Sequence, residues 1–368
     1  VTVRAVPGLP DIDVALRPIT AVIGPRAIGK SRLLAAISWL LSGHPRLGDP
    51  GSEAAPVVTG ELASSDGPRT VQRSGDTASL QPLPRCWYLP IHERIADRPP
   101  TGPAARGWSD AAGAEAMVDA IEAACRAGRS GDVLVIEEPE VMLTPHAQRH
   151  LYRLLRAFGR DNQVIYSTRS PAMLDATHHD EILRLDLAAA GLRVLDAPVA
   201  LLTDEQWLRL AAEFDHERSE MFFARAVVLV EGQTERLSLP AIFRSLGHDP
   251  DALGISIVEV GGKGNLPLAA RLLSRLAIPH LVVFDADTGA TAEAENAAIA
   301  MAVGSAPTIR LDPDFEAVAG IRSSKDKVLR PWRRFHDVRP DDVPLQFRRI
   351  VETASLLATA GPRTSGRT

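Results

Sequence analysis

Short apolar runs that stop abruptly on glycine or on carboxylates set the rhythm of this chain. The run ITAVI from Ile19 leads into a glycine-bounded loop, then into Leu33, Leu34, Ile37, Leu40 and Leu41 at the spacing of one helical face, closed by Gly43. VLVIEEPE, residues 133–140, reads as a buried strand ending in acids. Thr144 then offers an N-cap, Pro145 a first helical position, and Leu151, Leu154, Leu155 and Phe158 one apolar face. QVIYST is a further strand that stops at Arg169, and residues 181–197 read as a hairpin. Later come ARAVVLV, ISIVEV and HLVVF, the first ending in Glu231 and Glu235, the last in Asp285 and Asp287. Strand runs alternating with helical ones predict an α/β architecture with mainly parallel sheets.

Weaker stretches lie between. Residues 45–81 are rich in Gly, Pro, Ser and Asp, and the faint alternation of PVVTGELASS predicts a hairpin or two with no chemistry assigned. CWYLPIHER reads as a strand with a polar end, and a helix is expected over about 110–127, with Met117, Ile121 and Ala124 inward. Residues 203–224 read as a helical linker with Trp207, Leu210, Ala211 and Phe214 on one face. After Glu235 a helix is expected to kink or restart at Pro240, and the GGKGN turn feeds another helix.

Two places carry chemistry. Gly24 to Ser31 spells G-x-x-x-x-G-K-S between strand and helix. Gly24 and Gly29 let backbone N–H groups wrap phosphates, Lys30 meets the β/γ charge and Ser31 offers a hydroxyl to Mg²⁺. In the acid pair downstream, Glu137 would hold Mg²⁺ through water and Glu138 would polarise an attacking water, so ATP with Mg²⁺ is the expected ligand. The second place is the pair of runs ending in Glu231, Glu235, Asp285 and Asp287. Side by side in a parallel sheet, they would deliver four carboxylates to one crevice. Oxygen ligands without His or Cys suit Mg²⁺ or Mn²⁺, and two such ions can clamp a phosphodiester. One acid at a strand end is an ordinary solvated terminus; four in this order, with Gly232 freeing the turn, read as a site.

With 368 residues, 45% of them hydrophobic and 24% charged, the chain has material for two cores. Net charge of −5 excludes a generally basic nucleic-acid coat. A local cluster remains: Arg322, Lys325, Lys327, Arg330, Arg333, Arg334 and Arg339 against Asp326 and Asp337, a solvated face unless it lies beside a metal site, where it becomes a DNA-phosphate contact. Cys86 and Cys125 make neither a disulfide scaffold nor a zinc ribbon. No apolar run approaches a bilayer span and the first residues lack a secretory core, so a cytoplasmic location with no membrane partner is expected.

The strand, VEGQTE and later DAD resemble the TOPRIM domain of nucleases, primases and topoisomerases. GPRAIGKS, EEPEVMLTPHAQRHLYRLL, STRSPAML and FFARAVVLVEGQTE, in that order, resemble the OLD (overcoming lysogenization defect) family of nucleases over roughly 19–335. That resemblance implies an ABC-type P-loop ATPase domain at 1–202, a helical linker at 203–224, a smaller Rossmann-like TOPRIM domain at 225–340, and a C-terminal helix with a disordered tail at 341–368. It implies that Glu231, Asp285 and Asp287 hold one ion, and that Glu235 and Glu316 hold the second. It also implies that a lysine after DFE, Lys327 with Lys325 as the alternative register, serves the nuclease centre. The GKGN turn is placed beside the acids, with Lys263 in reach of a phosphate.

The resemblance further implies a DNA substrate, a homodimer or higher homo-oligomer through the ATPase domain, a role in anti-phage defence, and room for an accessory defence protein. Three departures stand out: Arg169 replaces a switch histidine, Thr144 stands where a histidine is frequent, and WSDAAGAEAM is the sole candidate for a signature loop. The expected activity is an ATP-regulated, metal-dependent DNA endonuclease or nickase. The alternative is an ATP-gated DNA clamp or a nucleotide-sensing regulatory subunit without nuclease turnover. A topoisomerase is disfavoured because Tyr88, Tyr152 and Tyr166 all lie in the ATPase half, and a primase because the cysteines supply no zinc module.

Overall fold

The structure, a computed structural model, describes residues 1–44, 56–63, 67–90, 114–126, 130–188, 191–198, 203, 205–206, 208, 218–287, 289–321 and 329–360. The chain divides into two compact units, Val1–Leu174 with Asp180–Asp196, and Asp175–His179 with Ala197–Thr368.

Among the described residues the first unit contains two sheets. One is antiparallel, built from β1 (Thr2–Arg4), β2 (Ile12–Asp13), β4 (Val57–Leu62), β5 (Arg69–Ser74) and β6 (Thr77–Ala78) in the order β2-β1-β4-β5-β6. The other is mainly parallel, from β3 (Ile19–Ile23), β7 (Cys86–Leu89), β8 (Val133–Glu137), β9 (Gln163–Ser167), β10 (Ile182–Ala188) and β11 (Gly191–Asp196) in the order β11-β10-β3-β9-β8-β7. β3 and β8 are buried at every residue, which explains their unbroken aliphatic runs. β10 and β11 form the expected hairpin.

Helix α1 (Lys30–Ser42) carries more apolar surface than one face requires, because Leu33, Leu34, Ala36, Ile37, Trp39, Leu40 and Leu41 are all buried. It contacts β7, β8 and β9 on one side and β4 and β5 on the other. A helix covered on both sides is apolar all round. The weakly alternating stretch after residue 56 therefore supplies a lid for α1, with Gly60 in close approach to Leu40 and Arg73 Nε donating to Leu40 O at 3.0 Å. Helix α2 (Ala114–Arg126) packs on α3 (Pro145–Phe158), whose N-cap Thr144 accepts from Ala147 N at 3.4 Å. Met117 and Ala124, expected inward on α2, lie outside the side chains described, as does most of residues 203–224 with Trp207, Leu210, Ala211 and Phe214.

The second unit has one sheet among the described residues, β12 (Ala226–Val230), β13 (Ile255–Glu259), β14 (His280–Asp285) and β15 (Thr308–Leu311), all parallel in the order β13-β12-β14-β15. Its helices include α4 (Gln233–Ser245), α5 (Leu266–Arg275), α6 (Ala290–Val303), α7 (Phe315–Val318), α8 (Leu329–Phe335) and α9 (Leu345–Ala360), with a single turn at Pro250–Leu253. Of the expected kink or restart at Pro240 the restart does not occur, since α4 runs through it. Leu239, Ile242 and Phe243, all fully buried, hold the turns on both sides of it, and Arg236, whose carbonyl loses its usual donor, is exposed to water. Helix α9 packs on β12 and β14 through Phe347, Ile350, Val351, Ala354 and Ala358, so one apolar cluster runs past residue 340. Phe347 also meets Phe315 and Phe335 at ring centroid distances of 4.8 and 5.3 Å. Each such buried ring contributes about 1.5–3 kcal/mol through the apolar area it removes from water.

Candidate functional site

In the first unit the loop after β3 turns on glycines that no other residue could replace. Gly24 has φ 142, and a Cβ there would stand 2.3 Å from Leu185 O; Gly29 has φ 106 and would meet Leu9 at 2.8 Å. The loop ends on the uncapped N-terminus of α1, where backbone N–H groups lack intrahelical partners. Lys30 is buried and its Nζ donates to Gly24 O and Pro25 O, both at 2.8 Å. Burial, then the Arg169 guanidinium, lower the Lys30 ammonium to about 8, against the pull of Glu138 and Glu140. Ser31 is exposed.

The acids lie at the end of β8. Glu137 is buried and accepts from Tyr88 Oη at 2.5 Å, a bond made possible because β7 pairs with β8 in parallel. Glu138 comes next at φ 41, its N–H on Ser167 O and Oγ at 3.0 and 3.2 Å and its Oε1 on Arg169 Nε at 2.7 Å. Glu140 is buried too; its Oε1 accepts from Arg169 N at 2.7 Å, and burial raises its carboxyl above the usual range. Since β9 lies between β3 and β8, its end brings Arg169 beside both the loop and the acids. Tyr88 and Glu140 were missed as site residues by sequence reasoning. Glu140 stood in plain view as the third acid of EEPE, whereas nothing in the sequence pairs Tyr88 with Glu137.

In the second unit the parallel register of β12 against β14 brings Asp285 N within 2.8 Å of Glu231 Oε1. Asp285 Oδ1 accepts from Phe315 N at 3.0 Å, the first N–H of α7, and Asp314 caps that helix through Ala317 N. Glu235 is buried on the first turn of α4. Asp287 is exposed at φ 51 and Glu316 is half-buried. These five carboxylates lie within electrostatic reach of one another. Burial, then Glu235, Glu231, Asp287 and Glu316, raise Asp285 to about 8. Burial, with Glu231 and Glu316 adding to it, raises Glu235 to about 7, and burial also raises Glu231. Among the described residues, no three His, Cys, Asp or Glu side chains stand close enough to grip a metal as they are, since Glu231 and Asp285 each accept from a backbone N–H and Asp287 pairs with a lysine.

That lysine is Lys263. It is buried, and its Nζ donates to Asp285 O at 2.5 Å, Ala286 O at 3.4 Å and Asp287 Oδ2 at 2.9 Å. The short 3₁₀ turn Lys263–Asn265 aims the side chain at the DxD loop. Glu259, at the end of β13, was also missed: it is buried, paired with Arg218 at 3.2 Å and Arg236 at 3.6 Å, and lines one cleft with Glu231 and Glu235. Lys325, Lys327 and Arg322 lie outside the described residues, as does the start of the WSDAAGAEAM segment. Arg330, Arg333 and Arg334 are exposed on α8. No helix among the described residues is long and apolar enough to cross a membrane.

Residues 222–287 match the family described as "Overcoming lysogenization defect protein-like, TOPRIM domain". This chain carries an OLD-like TOPRIM domain. Residues 119–175, upstream of the TOPRIM match, fit an AAA-domain family described for AbiEii toxins of type IV TA systems, so the expected fold class, a P-loop ATPase domain followed by TOPRIM, is borne out. Among curated proteins, the OLD nuclease of Thermus scotoductus is 34% identical over 263 residues, 64% of this chain and 50% of that protein. The Old nuclease of Escherichia phage P2 is 28% identical over 165 residues, 43% of this chain and 28% of that protein. The chain thus spans half or less of the length of these relatives. Among solved structures, the C-terminal region of the Xanthomonas campestris pv. campestris OLD protein is similar over 38% of this chain and 98% of its own, at 21% identity and TM-score 0.31. The SMC head domain from Thermotoga maritima is similar over 54% of this chain and 98% of its own, at 14% identity and TM-score 0.36.

Proposed function

We propose that this chain is a divalent-metal-dependent DNA nuclease of OLD type, an endonuclease or nickase, whose first unit binds ATP with Mg²⁺. One observation carries the reading: five carboxylates gather on parallel strand ends and the turns after them, where burial first and then neighbouring carboxylates raise Asp285 to about 8 and Glu235 to about 7. Such a group keeps its charge only beside a cation, and its all-oxygen donors suit Mg²⁺ or Mn²⁺. Glu231, Asp285 and Asp287 would hold one ion, Glu235 and Glu316 a second. When bound, the ions supply Lewis-acid polarisation of a phosphodiester and neutralise charge developing on it. The chain's own residues do the positioning: Glu231 ties β12 to β14 and Lys263 fixes the DxD loop, while Lys327, or Lys325 in the other register, would meet the developing charge.

In the first unit, Lys30, Ser31 and Glu137 would hold the phosphates and Mg²⁺. A homodimer through that unit and a role in anti-phage defence complete the reading, on the strength of the family likeness. Supercoiled-plasmid cleavage with Mg²⁺ or Mn²⁺, with and without ATP, tests it. Cleavage by the parent chain with silence from Glu231→Ala and Asp285→Ala is the expected result; equal cutting by the variants, or none by any, overturns it. A second reading, a nucleotide-sensing subunit that seldom hydrolyses, is favoured by the ion pair between Arg169 and Glu138. ATP turnover with and without DNA separates the two.

A further inference from the structure

Glu259 ends β13 opposite Val230, the residue before Glu231, and is only 7% exposed. Its carboxylate is served on one side. Arg218, on the 3₁₀ turn Arg218–Phe222, donates through Nε to Glu259 O at 2.8 Å and through Nη2 to Oε1 at 3.2 Å. Arg236, which follows Glu235 on α4, brings Nη1 to within 3.6 Å of the same oxygen. The other oxygen, Oε2, is buried and has no hydrogen-bond partner among the described residues. A buried acceptor left in that state costs stability, and a donor brought by a ligand would recover it.

The place where such a donor would lie is open. Glu259 lines a cleft of about 500 Å³ with two of the acids assigned to metal, Glu231 and Glu235. Part of its wall is bare backbone: a Cβ on Gly232 would stand 4.0 Å from Glu235 Oε2, and one on Gly262 would meet nothing within 4 Å. That leaves room for an ion with several waters, each taking about 30 Å³.

We propose that Glu259, through Oε2, holds a hydration water of the divalent cation at Glu235, and so sets how that cation sits without ligating it. The proposal rests on the metal reading above. Mg²⁺ gives up its waters reluctantly and is commonly gripped by one or two carboxylates, so much of its shell must be oriented by oxygens further out. Glu259 suits that part because both guanidinium groups act on it from behind. They fix its position and offset its charge, so it supplies an acceptor without adding to the crowding of like charges. Glu259 is thus a positioning residue, in touch with the ion's water and with neither the ion nor the DNA.

The test is calorimetric titration of the full chain with Mg²⁺ and with Ca²⁺, in the absence of DNA. Ca²⁺ takes more ligands in looser geometry and depends less on one oriented water. Glu259→Gln should weaken Mg²⁺ binding about 10–100-fold, the usual loss for a group behind a metal's ligands. Ca²⁺ should lose less, so the ratio of Mg²⁺ to Ca²⁺ affinity should fall by about threefold or more. Glu259→Asp, which keeps the charge and withdraws the oxygens by one methylene, should lower the same ratio by a smaller factor. Unchanged binding of both metals by Glu259→Gln overturns the proposal. So does equal weakening of both, the result expected if Glu259 only ties the 218–222 turn to β13. Should Glu259→Gln fold poorly, an unchanged ratio in Glu259→Asp overturns it alone. Glu235→Ala separates the two levels: if it loses Mg²⁺ while Glu259→Gln keeps the parent's affinities, the metal reading stands and only this proposal falls. If the parent binds neither metal, both fall.

Discussion

The strand ends of the two units carry similar acids and treat them in opposite ways. After β8, Glu137 has a tyrosine hydroxyl, Glu138 a guanidinium and Glu140 a backbone N–H, so the protein supplies a partner for each. After β12 and β14 backbone N–H groups reach Glu231 and Asp285 and Lys263 reaches Asp287, yet burial and the crowding of like charges still raise Asp285 to about 8 and Glu235 to about 7. Acids at strand ends are therefore not one kind of site. Where partners match the acids, an incoming ligand must displace one; where buried acids outnumber them, a cation would complete the balance.

Breaking that contrast gives an ordered set of outcomes. The largest effect is expected at Asp285, the most strongly repelled group: Asp285→Asn should lower metal-dependent plasmid cleavage by about 10³-fold, the scale of removing a principal electrostatic stabiliser. Above about pH 8, where Asp285 is charged, the same variant should raise the Tm of the metal-free protein by about 2–6 °C, because it removes repulsion. A calorimetric scan showing a lower Tm would argue that Asp285 is satisfied as it stands.

Next comes Lys263→Met, expected to reduce cleavage about 10–100-fold by releasing Asp287, a loss typical of groups that orient ligands. Metal titration should show weaker binding, and unchanged metal affinity would remove Lys263 from the site.

The pH dependence is third. Unfolded, Asp titrates near 3.9 and Glu near 4.3, whereas the folded groups hold protons to about 8 and about 7. Between roughly pH 4 and 8 the folded form binds more protons than the unfolded chain, so metal-free stability should fall as pH rises through that window and level off above it. Mg²⁺ should therefore raise Tm more at pH 8 than at pH 6, and an equal shift at both would break the comparison.

The smallest effect is Tyr88→Phe, which takes one partner from the balanced site and should weaken Mg²⁺-nucleotide binding about 3–10-fold, the scale of one hydrogen bond to a charged group. No change would mean that Tyr88 serves packing alone.

Both sites were largely legible because chain order alone decides which residues come after a strand. GPRAIGKS, VEGQTE and DAD each sit where a parallel strand must end, and the sheet orders then bring the residues of each unit to one edge. The illegible parts depend on direction and on company. Lys263 lies in a glycine-rich turn whose sequence says nothing of which way the turn faces. The antiparallel sheet over α1 was read only as a loose hairpin, since RTVQRS buries Val71 and, unusually, Arg73, which belongs inside only because the α1 carbonyl of Leu40 needs a donor. Pro240 looked like a break because the rule for proline weighs one lost hydrogen bond, not the buried side chains that flank it. The tail helix α9 shows the same limit: its apolar face is evident, but not that it covers β12 and β14.

The ammonium of Lys263, bound to two backbone carbonyls and one carboxylate of the DxD loop, has a consequence for the order of events in the life of this protein. It is a permanent, chain-borne placeholder for positive charge in an anionic pocket. The loop can therefore take its shape as soon as the polypeptide folds, in surroundings poor in divalent ions, and loading can wait until later. Assembly and arming become separate steps, scheduled by a single side chain.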